Sequence, residues 1–174
     1  MNLPQLWIER YNFLQKYRGR MWNELSQPDF KPEWIIARPK PYQWSIDENL
    51  RHMLGSEVRY IQQSLDADIS QHSAVVPAQW VGTVFFRFEE REHLGLPELL
   101  DIFPAVESKS MQLLENVTEK ELQMIVEAPW KEKMSYHRLL KAFYAHEHYH
   151  RGQVHFLITY YRGPPNFQNR SNSS

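Results

Sequence analysis

His146-Glu147-His148-Tyr149-His150-Arg151-Gly152-Gln153 is the stretch on which the reading of this chain turns. It lies in a long run of helical apolar periodicity that starts near Ser135, a suitable N-cap, and ends near Arg162, where Gly163-Pro164-Pro165 is a strong stop. Successive helical residues are about 100° apart, so His146 and His150 rise from one face, one turn apart, a spacing that suits chelation of a single divalent ion. His137, His148 and His155 fall roughly 180° to 200° from His146 and point away from the pair. They read as surface, interface or satisfied core histidines.

Three further helical runs lie N-terminal to this one. The first, from about Pro4 to Leu25, carries Leu6, Ile8, Tyr11, Phe13, Leu14, Tyr17, Met21, Trp22 and Leu25 in a broad apolar pattern. Pro28, Pro32, Pro39 and Pro41 then predict an extended connector. Ser45-Ile46-Asp47-Glu48 is a capping box, with Trp44 placed to pack under the first turn, and opens a second helix to about Leu65 or Asp66. From Asp66 to Leu96 the pattern weakens into a long, mostly irregular connector, in which Val81 to Phe88 reads as a short strand or an ordered loop. Pro97 opens a third helix to about Asn116, with Pro104 expected to kink it or mark a shortened first turn. Thr118-Glu119-Lys120-Glu121 is a second capping box, soon stopped by Ala128-Pro129. The pattern predicts an all-α helical bundle over residues 1–163 and a flexible polar tail over 164–174.

The 174 residues fit one domain, and 42% hydrophobic with 14% aromatic residues is enough for a real core. Twenty basic against twenty-one acidic residues leave a formal charge of −1 with no Lys/Arg block, which disfavours nucleic-acid and anionic-membrane partners. The start lacks a charged n-region followed by an apolar run, and no segment approaches the ~18 consecutive apolar residues of a membrane span. A soluble, cytoplasmic protein is expected, and Asn116-Val117-Thr118 and Asn169-Arg170-Ser171 are then chance matches to the glycosylation pattern. With no cysteine, any metal must be held by His, Asp or Glu.

His146-Glu147-His148-Tyr149-His150 also satisfies the HExxH pattern of zinc proteases, but no Asp or Glu follows Glu147 and the only histidine beyond the motif is His155, on the far face. A ferritin-like di-metal bundle needs two ExxH strings, which Glu90 to His93 and Glu147 to His150 supply; the first sits beside Gly95 and Pro97 in the weakly periodic connector. A mononuclear site needs a third ligand. Periodicity alone places His52 among Glu48, Ser56 and Arg59, away from Ile46, Leu50, Leu54 and Ile61, as a solvated side chain.

Trp44-Ser45 followed by His52 and Glu57, and then His146-xxx-His150-Arg151-Gly152-Gln153, resembles the DinB/YfiT-like superfamily. The resemblance implies an up-down-down-up four-helix bundle that binds a divalent metal through one histidine of the second helix and an HxxxH pair on the last. It makes His52, His146 and His150 the ligands. It also implies a small-molecule substrate, often a homodimer, and chemistry divided between transfer of low-molecular-weight thiols, related isomerisations and hydrolysis. Three imidazoles suit zinc or nickel best, with iron or manganese also compatible, and leave open positions for water or a small thiol. A non-catalytic bundle that binds metal or dimerises is the alternative. No catalytic residue is assigned. Glu57, which falls on the apolar stripe, reads as the partner of an Arg or a ring N–H, with Arg151 as a candidate mate. Gln153 is placed either to hydrogen-bond a ligand, water or substrate or to serve as an interhelix amide. Glu147 reads as solvated or paired, and Tyr149 as a packing residue. Asn49 stands where the family usually has an apolar residue.

Overall fold

A computed structural model describes residues 2–65 and 95–163. The expected connector from Asp66, with Val81 to Phe88 and Glu90 to His93, lies outside the described residues, as does the tail.

Helix α1 (Leu3–Leu25) starts where the Asn2 side chain accepts the Gln5 amide, and it buries Trp7, Tyr11, Leu14, Arg18, Met21 and Leu25. These positions alternate by four and three, which draws them into one stripe. A 3₁₀ turn (Pro32–Ile35) follows. Helix α2 (Ile46–Glu57) opens on the expected capping box, with Ser45 and Glu48 each accepting the other's backbone amide. It runs on through a π-helical turn (Val58–Gln62) into a last turn at Gln63–Leu65.

Every residue of Ile46–Glu57 is buried, so the polar side of α2 is not the solvated face that periodicity predicts. Its charges are paired instead: Asp47 with Arg51, Glu48 with Arg38, and Glu57 with Arg18. Burial of such groups is tolerable only with partners of this kind.

Helix α3 (Leu96–Asn116) has Pro97 in its first turn and continues through Pro104. Pro104 is exposed, so the carbonyl it leaves without an amide can be hydrated. The second capping box starts the short α4 (Glu119–Gln123). A hairpin unforeseen from sequence then pairs β1 (Ile125–Glu127) antiparallel with β2 (Lys133–Ser135), Val126 opposite Met134. Ser135 caps α5 (Tyr136–Arg162), which ends at Gly163 with φ +77°, a conformation glycine adopts freely.

The four long helices form a bundle in which α2 packs on α5 and α3, and α1 on α3 and α5. The core has two apolar clusters. One joins Met21, Leu50, Leu54, Phe103, Val106 and Val154; the other joins Trp7, Leu14, Ile61, Leu114, Leu140 and Phe143. Each of the four long helices also gives one member to a charged cluster: Arg18 on α1, Glu57 on α2, Glu107 on α3 and Glu147 on α5. The Arg18 guanidinium reaches all three carboxylates, at 2.6 Å from Glu57, 3.0 Å from Glu107 and 2.6 Å from Glu147. Tyr11 donates its hydroxyl to Glu57. No described helix is long and apolar enough to cross a membrane.

Candidate metal centre

The buried α2 and the last long helix bring His52, His146 and His150 together, with one ring nitrogen from each lying within 4.8 Å of the others. His52 Nε2 and His146 Nε2 are 2.9 Å apart. The ring centroids are separated by 4.8 Å (His52–His146), 4.6 Å (His52–His150) and 4.5 Å (His146–His150). His52 and His150 are only 5% and 6% exposed. The solvated position that helical projection gives His52 is therefore not the one it occupies, because α5 packs against that side of α2.

Asn49, one turn before His52, fixes the third ring. Its Nδ2 donates to the Ser45 carbonyl at 2.8 Å, which sets the amide orientation, and its Oδ1 then accepts the Nδ1–H of His150 at 2.8 Å. With Nδ1 protonated, Nε2 carries the free lone pair. Aromatic rings pack the triad: Trp44 lies edge-on to His52 and stacks on His150, and Tyr60 stacks on His146.

Burial holds all three rings neutral. The His52 pKa is lowered to about 4, by burial and then by the neighbouring His146; that of His146 is lowered to about 4 by burial; that of His150 falls to about 3, by burial and by both neighbours, against a smaller opposing effect of a hydrogen bond with Gln153. Neutral imidazoles are the form that binds a metal. Tetrahedral coordination at 2.0–2.1 Å needs nitrogens about 3.3 Å apart, so the His52–His146 pair has only a few tenths of an ångström to open. The donor set fits a divalent ion.

A pocket of about 430 Å³ opens over the triad, lined also by Tyr42, Trp44, Tyr149, Gln153 and Phe156. The Gln153 Oε1 is buried beside His150 and has no other hydrogen-bond partner among the described residues.

One sequence expectation is redirected. Arg151 is not the mate of Glu57: it lies 4.4 Å from the Tyr17 ring centroid and donates to His148 Nδ1 at 2.8 Å, on the side of α5 that faces α1. Arg18, which apolar periodicity passed over, pairs with Glu57 instead. Glu147 is fully buried and held by Arg18, so it is unavailable as the general base that HExxH would require. The remaining described histidines turn away, as their angles predict: His137 accepts from Trp7 Nε1, and His155 pairs with Glu24.

The sequence model of the DinB superfamily matches residues 19–154, a span that holds all three histidines. The chain belongs to the DinB superfamily. A crystal structure of a DinB-like protein from Bacillus subtilis shares the fold, with a TM-score of 0.63 over 92% of this chain and 94% of that one, at 14% identity. No curated protein matches the chain. DinB-superfamily proteins are typically metal-binding, and in this member the three-histidine group is the cluster of potential ligands among the described residues.

Proposed function

We propose that this DinB-superfamily chain holds one divalent ion between His52, His146 and His150 and acts as a metal-dependent enzyme on a small molecule, activating a low-molecular-weight thiol or a water molecule. The observation that carries this reading is the convergence of three neutral imidazoles, His52 and His150 buried and His146 half-buried, at the floor of an open pocket. A structural ion would be enclosed and fully coordinated by protein, whereas three ligands beneath a pocket leave positions for reactants.

A divalent ion in this setting brings the ionisation of a thiol or water towards neutral pH. The chain's own residues supply orientation and exclusion of water. Asn49 keeps His150 in the tautomer that presents Nε2. Trp44 and Tyr60 brace the rings and dry the floor of the site. Gln153 Oε1 offers an acceptor to an N–H or O–H of the substrate. Three imidazoles suit zinc or nickel best, with iron or manganese also compatible. Pairing of two copies, which the resemblance also implies, is read from the mass in solution.

The test uses zinc-loaded protein with a small thiol and an aryl-halide electrophile, and in parallel with an activated ester. Turnover of either substrate that disappears on chelation and in His146→Ala supports the reading. Rates equal to those of the metal-stripped protein for both substrates would refute catalysis and leave a non-catalytic bundle.

A further inference from the structure

The pocket above the histidines has an unusual rim for a surface in contact with water. Tyr42, Tyr149 and Phe156 are 69%, 63% and 55% exposed, and all three line this one opening. Large aromatic side chains left in water at the mouth of a cavity mark a surface that a ligand covers. They come from two elements. Tyr42 and Trp44 belong to the segment ahead of α2, and Tyr149, Gln153 and Phe156 follow one another along α5 at spacings of four and three, on a single face.

The charge character of the lining is as informative as its shape. Among the described lining residues there is no Lys, Arg, Asp or Glu. Lys40, whose Nζ lies 5.8 Å from the Tyr42 ring centroid, does not line the pocket. A ligand body bearing carboxylates or phosphates would lose its hydration here with no described charged partner in the lining to replace it. An aromatic or other flat apolar body would cover the exposed rings and gain stacking contacts. The floor makes the opposite demand. Three neutral imidazoles leave the full charge of a divalent ion uncompensated by the protein, which favours a head group that binds as an anion. Gln153, whose side chain lies beside His150, adds an amide to the same lining.

We infer that the site takes a neutral, mainly aromatic small molecule that carries one metal-binding head group, rather than a thiol or ester with a charged body. The inference rests on the metal reading above, and it selects the substrate class within it.

The experiment titrates two hydroxamates that share a head group into zinc-loaded protein by calorimetry: 2-naphthohydroxamate, with a neutral aromatic body, and 3-carboxypropanohydroxamate, with a charged one. Metal content is measured first on the same sample, so that failure of the metal reading is seen as absent zinc, which would overturn both proposals before any probe is added. With zinc present, the naphthyl probe is expected to bind at least tenfold more tightly than the carboxylate probe. Phe156→Ala should weaken the naphthyl probe by threefold or more while leaving zinc content and the carboxylate probe unchanged within twofold. Equal or tighter binding of the carboxylate probe overturns the inference while leaving the metal centre standing. So does a naphthyl affinity that ignores Phe156→Ala.

Discussion

At the scale of single residues, burial has prepared the three histidines for a metal before any metal arrives. Their lowered pKa values mean that the folded chain binds fewer protons than free imidazoles, whose ordinary value is near 6.5, throughout the interval from about 6.5 down to about 4. Two consequences share that sign. The metal-free fold loses stability as pH falls through this interval, because unfolding releases groups that then take up protons. Protons also compete with metal only below about pH 4. Three histidines with ordinary values would lose roughly a thousandfold in affinity between pH 8 and pH 5.5. Zinc affinity of this protein, measured by chelator competition, is expected to change by less than about threefold over that range. A thousandfold loss would show that the rings are solvated. Asn49 gives a second prediction. Asn49→Leu removes the acceptor that orients His150 and should weaken zinc binding by about 10–100-fold with the fold intact by circular dichroism. His146 and His150 were legible from helical arithmetic, because their relation is local. His52 was not, since its burial depends on a helix about ninety residues away, and only family resemblance selected it. Asn49 looked like a departure from the family pattern because no sequence rule shows which ring its amide will meet.

Among the elements, the decisive feature is the polar layer that Arg18 makes with Glu57, Glu107 and Glu147, one carboxylate from each of the other three long helices. Breaking a buried pair strands its partners without counter-charge, so Arg18→Met should lower stability by about 3–5 kcal/mol in urea unfolding. Adding Glu57→Gln and Glu147→Gln to that variant should recover part of the loss, since neutral amides no longer need the cation. A cost below about 1 kcal/mol for Arg18→Met would show that the layer is hydrated in solution. Helix ends were read closely from sequence: Ser45, Thr118 and Ser135 all cap where their side chains allow, and Gly163 stops α5. The β1–β2 hairpin escaped notice because three-residue strands are too short to show alternation. The π-helical turn escaped because its extra residue, just after Glu57, leaves no mark in composition. Arg18 sits squarely in the buried stripe of α1, where a search for apolar periodicity skips a charged residue.

For the molecule as a whole, a bundle of four long helices was legible from periodicity and caps, while its assembly was not. Which helices become neighbours is decided by tertiary packing, and here that packing sets α2 against α5 and so builds the site from residues 52 and 146–150. A metal bridging two helices stabilises only the folded arrangement. Zinc at a hundredfold excess over its dissociation constant should add about 2.7 kcal/mol, or roughly 5–10 °C in midpoint for a chain of this size. Differential scanning calorimetry with and without chelator checks this, and His150→Ala should abolish the difference. The central claim is that one ion is held by three histidines drawn from two helices. It is tested most directly by metal content per chain in protein purified without an affinity tag, for the native sequence, His52→Ala and His150→Ala. The account predicts close to one equivalent in the native protein and loss of it in both variants. Absence of metal from the native protein, or metal unchanged in His52→Ala, would contradict it.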